Sequence, residues 1–162
     1  MRAGLVQLTV GDDPVANLAV TLSQVRAAAA QGAGFVLTPE LTNGLSSSRA
    51  HQRAVFHAEA DDPTLAALRD AVRALGIWLL IGSLGLLTKD ADGRFANRSF
   101  LIGPDGGIAA RYDKIHMFDV NVSPTEIYRE SEGYRPGDRA VLADTPFGKI
   151  GMTVCYDLRF PA

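Results

Sequence analysis

Apolar and polar positions alternate loosely over residues 3–10, which predicts a first strand, and Gly11-Asp12-Asp13-Pro14 ends it. Asp13 is placed to cap a helix and Pro14 to fill its first turn. Val15, Leu18, Leu22, Val25 and Ala29 then recur three or four apart as one buried stripe, and Gly32 is the natural stop. Residues 33–38 form an almost uninterrupted apolar run, as in a central strand covered on both faces, closed by Pro39 and Glu40. Residues 41–60 carry no clear period: Ser46, Ser47 and Ser48 predict a loop, followed by a weakly helical stretch with His51 and His57. Asp62-Pro63 opens a second helix whose Leu65, Leu68, Val72 and Leu75 make a narrow apolar stripe before Gly76, and residues 77–81 predict the next strand.

The texture then changes. Strands near 83–89, 95–102 and 107–113 are separated by Asp92-Gly93 and by Pro104-Asp105-Gly106-Gly107, which predicts an antiparallel meander. Residues 114–139 read as one long, charged loop punctuated by Pro124, Pro136 and Gly137, and loops of that length in compact domains are usually functional. Two more strands, near 140–144 and 148–154, are joined through Pro146-Phe147-Gly148. The whole reads as one α/β domain.

Composition narrows the function classes. The chain has 162 residues, 47% of them hydrophobic, and 16 Lys plus Arg against 18 Asp plus Glu give a formal charge of −2; no basic run is present to track a phosphate backbone, so nucleic acid is not an expected partner. No apolar run is long enough to span a bilayer. A single cysteine excludes an intramolecular disulfide and a clustered-cysteine zinc site and suits a reducing compartment, so the expected address is cytoplasmic. Asp90-Ala91-Asp92-Gly93 reads as a hairpin turn rather than a calcium loop, and no phosphate loop or dinucleotide fingerprint occurs, so no metal or cofactor is expected.

Cys155 is the candidate nucleophile, because Lys149-Ile150-Gly151-Met152-Thr153-Val154 reads as a strand that delivers it to a polar turn. A lone free cysteine is also commonly a small buried hydrophobe. Glu40 and Lys114 share its description, each standing at or just past the end of a predicted strand. A thiol of ordinary pKa is mostly protonated at neutral pH, so it needs a base or a nearby cation, and these residues supply one of each. His116 beside Lys114 leaves a cysteine-histidine dyad open, with Asp157 or Asp119 to orient the imidazole.

Thr38-Pro39-Glu40-Leu41, then Arg111-Tyr112-Asp113-Lys114-Ile115-His116-Met117-Phe118-Asp119, then Gly151-Met152-Thr153-Val154-Cys155-Tyr156-Asp157-Leu158-Arg159-Phe160-Pro161 resemble, in order, the three catalytic blocks of the nitrilase, or carbon-nitrogen hydrolase, superfamily. The resemblance implies its four-layer α-β-β-α sandwich, and it implies that Glu40 is the general base, Cys155 the nucleophile, and Lys114 with the backbone N–H of Tyr156 the oxyanion stabilisers. Glu130, sixteen positions after Lys114, resembles a fourth active-site residue of the Nit-type amidases, with Glu132 a near neighbour that the sequence does not separate from it. Arg159, four after the cysteine, is a candidate for a substrate carboxylate, with a structural salt bridge as the alternative.

The wording of the second and third blocks is closest to the Nit branch, which includes omega-amidases. The resemblance therefore implies hydrolysis of a small linear amide to acid and ammonia, with omega-amides of 2-oxo acids and deaminated glutathione as candidate substrates. A nitrilase or carbamoyl-amine hydrolase reaction, or a non-catalytic nitrilase-like interaction module, are the alternatives. The resemblance also implies a homodimer or higher homo-oligomer for the full-length protein. The family fold continues past its nucleophile block, whereas this sequence stops at Pro161-Ala162. The expectation is thus a single domain over 1–162, incomplete at its C-terminus, with apolar faces left open and little activity of its own.

Overall fold

Asp13 accepts hydrogen bonds from the backbone N–H of Val15 (2.9 Å) and Ala16 (3.3 Å), and Pro14 fills the first helical position, so α1 (Pro14–Ala30) starts where the sequence predicts. Gly32, at φ 84°, turns the chain out of it. The inner stripe is less apolar than its spacing suggests. Val25 is buried and Leu18, Leu22 and Ala29 pack against the core, but Val15 is 78% exposed and Asn17 and Thr21 take inner positions. Asn17 is satisfied there by Gly11 and by the carbonyl of Asn43, so this polar residue ties α1 to the segment behind β2.

The computed structural model describes residues 1–161. Its main sheet runs in the order β1 (Ala3–Leu5), β2 (Phe35–Leu37), β3 (Trp78–Leu86), β4 (Phe95–Ile102), β5 (Ile108–Asp113), parallel for the first three strands and antiparallel thereafter. α3 (Pro63–Leu75), capped by Asp62 onto the Leu65 N–H at 2.7 Å and ended by Gly76 at φ 64°, delivers the chain from β2 to β3. α2 (Arg49–Val55) lies in the stretch that had no clear period, and its cap is Ser48.

Period-two alternation divides the sheet's side chains. Val36, Leu79, Ile81, Phe100 and Ile102 face α1 and α3, while Phe35, Leu80, Leu101 and Tyr112 point the other way. That second face is covered by the hairpin β9 (Val141–Thr145) and β10 (Gly148–Met152), through Ala143 and Met152, and by Val154 just beyond it. Helices, main sheet and a smaller second sheet make three stacked layers of a mixed α/β sandwich; a second helical layer is not found among the described residues. None of the described helices is long and apolar enough to cross a membrane.

Four boundaries differ from the sequence reading. β1 ends at Leu5, although Val6 still donates to Leu37 at 2.9 Å, because the chain leaves the sheet edge early. The strands expected at 77–81 and 83–89 are one strand, β3, with an irregularity between Ile81 and Leu84 where it skirts Thr38-Pro39. The expected loop over 114–139 contains a hairpin, β6 (Asp119–Ser123) and β7 (Glu126–Arg129), then a 3₁₀ turn (Glu130–Glu132) and β8 (Tyr134–Arg135), which pairs parallel with β4. β10 stops at Met152, so Cys155 stands three residues beyond its strand, at the start of a 3₁₀ turn (Cys155–Arg159).

Candidate active site

Glu40 leaves β2 through a backbone held from several sides. Thr38 and Thr42 share a hydroxyl contact of 2.8 Å, Thr42 also bonds the Pro39 carbonyl, and the Leu41 N–H donates to Ser83 Oγ at 2.8 Å. Leu41 sits at φ 50°, and so does Cys155; they are the two non-glycine residues with positive φ among those described. That conformation costs an ordinary residue about 1–2 kcal/mol, so the surrounding bonds must hold it.

Lys114, directly after β5, is 2% exposed, and its Nζ lies 3.0 Å from Glu40 Oε1 and 2.9 Å from Glu130 Oε2. Burial works against the ammonium, but the bonds to Glu130 and the charge of Glu40 more than offset it and hold its pKa above the ordinary lysine range. Glu130, not the exposed Glu132, reaches the lysine, and Glu130 Oε2 also accepts from the Phe118 N–H at 2.7 Å. Asn97, buried in β4, donates Nδ2 to Glu40 Oε1 at 2.7 Å and to Glu130 Oε1 at 3.4 Å, while its Oδ1 has no partner among the described residues. Sequence reasoning missed Asn97. The available signal was an amide at the start of a polar Asn97-Arg98-Ser99 step inside a strand whose ends are apolar.

Cys155 is exposed and shares a cavity of about 440 Å³ with Glu40, Lys114 and Glu130. Partial burial raises the thiol pKa, the Glu40 carboxylate raises it further, and Lys114 only partly opposes them. Both effects favour the neutral thiol over the thiolate.

Asp157 fixes the turn that carries the cysteine. Its carboxylate accepts from the Tyr112 hydroxyl (2.7 Å), the Val154 N–H (2.9 Å) and the His116 N–H (2.9 Å), and it meets His116 Nδ1 at 2.8 Å. Burial opposes its charge, yet these donors, Tyr112 first, keep its pKa below the usual carboxylate value. The His116 ring is also stacked on Phe160, 3.9 Å between centroids, and it lines neither recess bordered by Cys155. Asp157 thus orients the imidazole as the dyad alternative requires, but the ring does not face either recess of Cys155, and Asp119 is occupied elsewhere, with the Ser131 N–H.

Tyr156 follows the cysteine, its ring edge-on to Phe118 at 5.1 Å. Arg159 is exposed and lines a second recess with Phe118, Val120, Cys155, Tyr156 and Leu158, so it shares the cysteine's surroundings but not the cavity wall of Glu40 and Lys114. It forms no ion pair among the described residues. Another cavity, of about 410 Å³, is lined by Arg98, Arg111, Arg135 and Arg139, but their charges are matched by Glu59, Asp90, Asp113 and Asp138, and it holds no nucleophile. Among the described residues no group of three or more His, Cys, Asp and Glu side chains is arranged to hold a metal ion.

Comparison with known proteins gives this geometry a context. The family model described as carbon-nitrogen hydrolase matches residues 2–162. A deaminated glutathione amidase of Yersinia enterocolitica is 38% identical over 99% of the chain and 56% of its own length. The human omega-amidase NIT2 is 32% identical over 98% of the chain and 56% of its own length. A solved structure of the amidase from Nesterenkonia sp. AN1, a mutant with acrylamide added to its active-site cysteine, has a TM-score of 0.78 at 27% identity, covering 99% of this chain and 59% of that one. The chain thus spans about half the length of the curated relatives it matches. A family model matched across nearly every residue, with Nit-type relatives alongside it, places the chain in the carbon-nitrogen hydrolase family, in the Nit-type part of the nitrilase superfamily.

Proposed function

We propose that the protein is a cysteine-dependent amidase that converts a small, linear, carboxylated amide to its acid and ammonia. One observation carries the reading: a buried ammonium, Lys114, is gripped by two carboxylates, Glu40 and Glu130, in the wall of the cavity onto which Cys155 opens. The relatives' names as amidases and the acrylamide adduct on the Nesterenkonia enzyme's cysteine support it.

The chemistry follows from the protonation states. As the Cys155 sulfur attacks the amide carbon, Glu40 takes the thiol proton, which avoids a free thiolate beside a carboxylate. Negative charge collects on the amide oxygen, where the Lys114 ammonium and the Tyr156 N–H neutralise it. Glu40 hands its proton to the departing nitrogen, ammonia leaves and a thioester remains. Water then attacks the thioester with Glu40 again as base, and the proton returns to sulfur as the acid departs. Glu130 holds Lys114 through both of its carboxylate oxygens, 3.0 and 2.9 Å from Nζ, so the ammonium keeps a partner while Glu40 cycles.

The test is ammonia release across a panel of omega-amides, nitriles and carbamoyl amines, with mass spectrometry of the acyl-enzyme. Turnover of the amides, with an adduct on Cys155 that is lost in Glu40→Ala, is the expected result. Activity confined to nitriles or carbamoyl amines would overturn it.

A further inference from the structure

The cavity wall carries more positive charge than the catalytic cluster uses. Three cations and two carboxylates line it; Lys114 is shared between Glu40 and Glu130, and this leaves Arg49 and Arg129. Neither forms an ion pair among the described residues. Arg129 is tied into its own hairpin, donating to the Tyr128 carbonyl at 2.7 Å and to Asn121 Oδ1 at 2.6 Å. Arg49 is held differently, on the scaffold.

The Arg49 guanidinium lies over two aromatic rings, 5.2 Å from the centre of Tyr134 and 6.0 Å from that of Phe95. One of its N–H groups donates to Gln52 Oε1 at 3.0 Å. Gln52 is itself buried and anchored through Nε2 to the Ser46 carbonyl (2.9 Å) and the Tyr134 hydroxyl (3.2 Å). The face of the guanidinium also presses on Gly133, where any β-carbon would overlap it. A planar cation with its faces packed and one edge bonded retains N–H groups to meet a carboxylate in the cavity.

We infer that Arg49 is the specificity-determining residue of this cavity, binding the carboxylate end of an amide whose other end meets Cys155. The inference rests on the amidase reading and names the anionic substrate class that reading requires. In succinamate the carboxylate carbon lies about 4 Å from the amide carbon, given C–C bonds of roughly 1.5 Å, and Arg49 and Cys155 line the same cavity of about 440 Å³. Lysine is a poor replacement, because the packed plane and the fork are lost together.

The experiment separates recognition from turnover. Cys155 is alkylated with iodoacetamide in the presence of succinate, or of neutral butyramide, and the modified protein is counted by mass spectrometry. In the wild type succinate protects the thiol at lower concentration than butyramide does. Arg49→Met raises the succinate concentration needed by about 10- to 100-fold, the scale of a lost charge-assisted hydrogen bond, and leaves butyramide protection within about threefold. Gly133→Ala, which displaces the guanidinium while leaving its charge, shifts protection in the same direction. In parallel, Arg49→Met lowers kcat/KM for succinamate far more than for butyramide. Equal protection by succinate in wild type and Arg49→Met, or none in the wild type, overturns the inference. Absence of ammonia release from every amide, with succinate protection intact, overturns the amidase reading and leaves the carboxylate site standing.

Discussion

The Tyr112 hydroxyl donates to Asp157 at 2.7 Å, and that bond joins the strand that delivers Lys114 to the turn that carries Cys155. His116, two residues past Lys114, reaches the same carboxylate, so the lysine is flanked on both sides by contacts to the cysteine's own turn. The relative placement of ammonium and sulfur is set by one buried acid.

Asp157→Asn is expected to destabilise the protein by about 1.5–3 kcal/mol at neutral pH, measured by denaturant unfolding, the scale of a lost hydrogen bond to a charged group. The sign with pH follows from its depressed pKa. The stabilisation is complete above the unfolded-state value of about 3.9 and is lost as pH falls through the lower folded value. The variant's stability should therefore fall less steeply than the wild type's on acidification. Tyr112→Phe should show a smaller loss and a slower acylation of Cys155.

Alkylation of Cys155 as a function of pH should report a thiol pKa above the ordinary value, because burial and the Glu40 charge both disfavour the thiolate. Glu40→Gln removes the second effect, so its inflection moves to lower pH. The same variant should lose about 10²–10⁴-fold in acylation by amides, since the thiol becomes easier to ionise but no base remains. An unchanged inflection would separate Glu40 from the sulfur.

Asn97→Asp replaces a donor to Glu40 with a third carboxyl group, buried beside the other two. Like charges so close favour protonation of one of them, and a protonated Glu40 cannot accept the thiol proton. The optimum for amide hydrolysis should move to higher pH and kcat should fall at least tenfold. Asn97→Ala, which only removes the donor, should lower kcat without moving the optimum.

Gly82→Ala tests the support of Glu40 from outside the cavity. A β-carbon there would overlap the Thr38 carbonyl and the Pro39 backbone. Overpacking of this kind costs about 1–3 kcal/mol, so the melting temperature should drop and acylation should slow, although Gly82 does not line the cavity.

Those four tests fall on residues of different legibility. The helix caps Asp13 and Asp62, the stops Gly32 and Gly76, and the apolar run of β2 are plain because each follows from a local rule. The hairpin of β6 and β7 was hidden, since its side chains are largely exposed on both faces and leave no alternation to read. β3 was split in two because a glycine in a strand pattern resembles a break, whereas Gly82 marks a close approach of another backbone. Residue type and order pointed to Glu40, Lys114 and Cys155, but only the folded chain distinguishes Glu130 from Glu132 or puts Asn97 between two acids. For a cation near the cysteine the sequence offered Arg159, which lines a recess bordered by Cys155, whereas Arg49, in the wall shared with Glu40 and Lys114, is reached only through the fold.

The hairpin of residues 119–129 lends Ile127 and Tyr128 to the cavity, yet its strands pair only with each other and not with the main sheet. Phe118 and Glu130 bracket the hairpin, and the bond between them, 2.7 Å, closes its base beside Lys114. Substitutions of Ile127 or Tyr128 can therefore reshape which molecules enter, so long as that base, on which the lysine's partner depends, is kept.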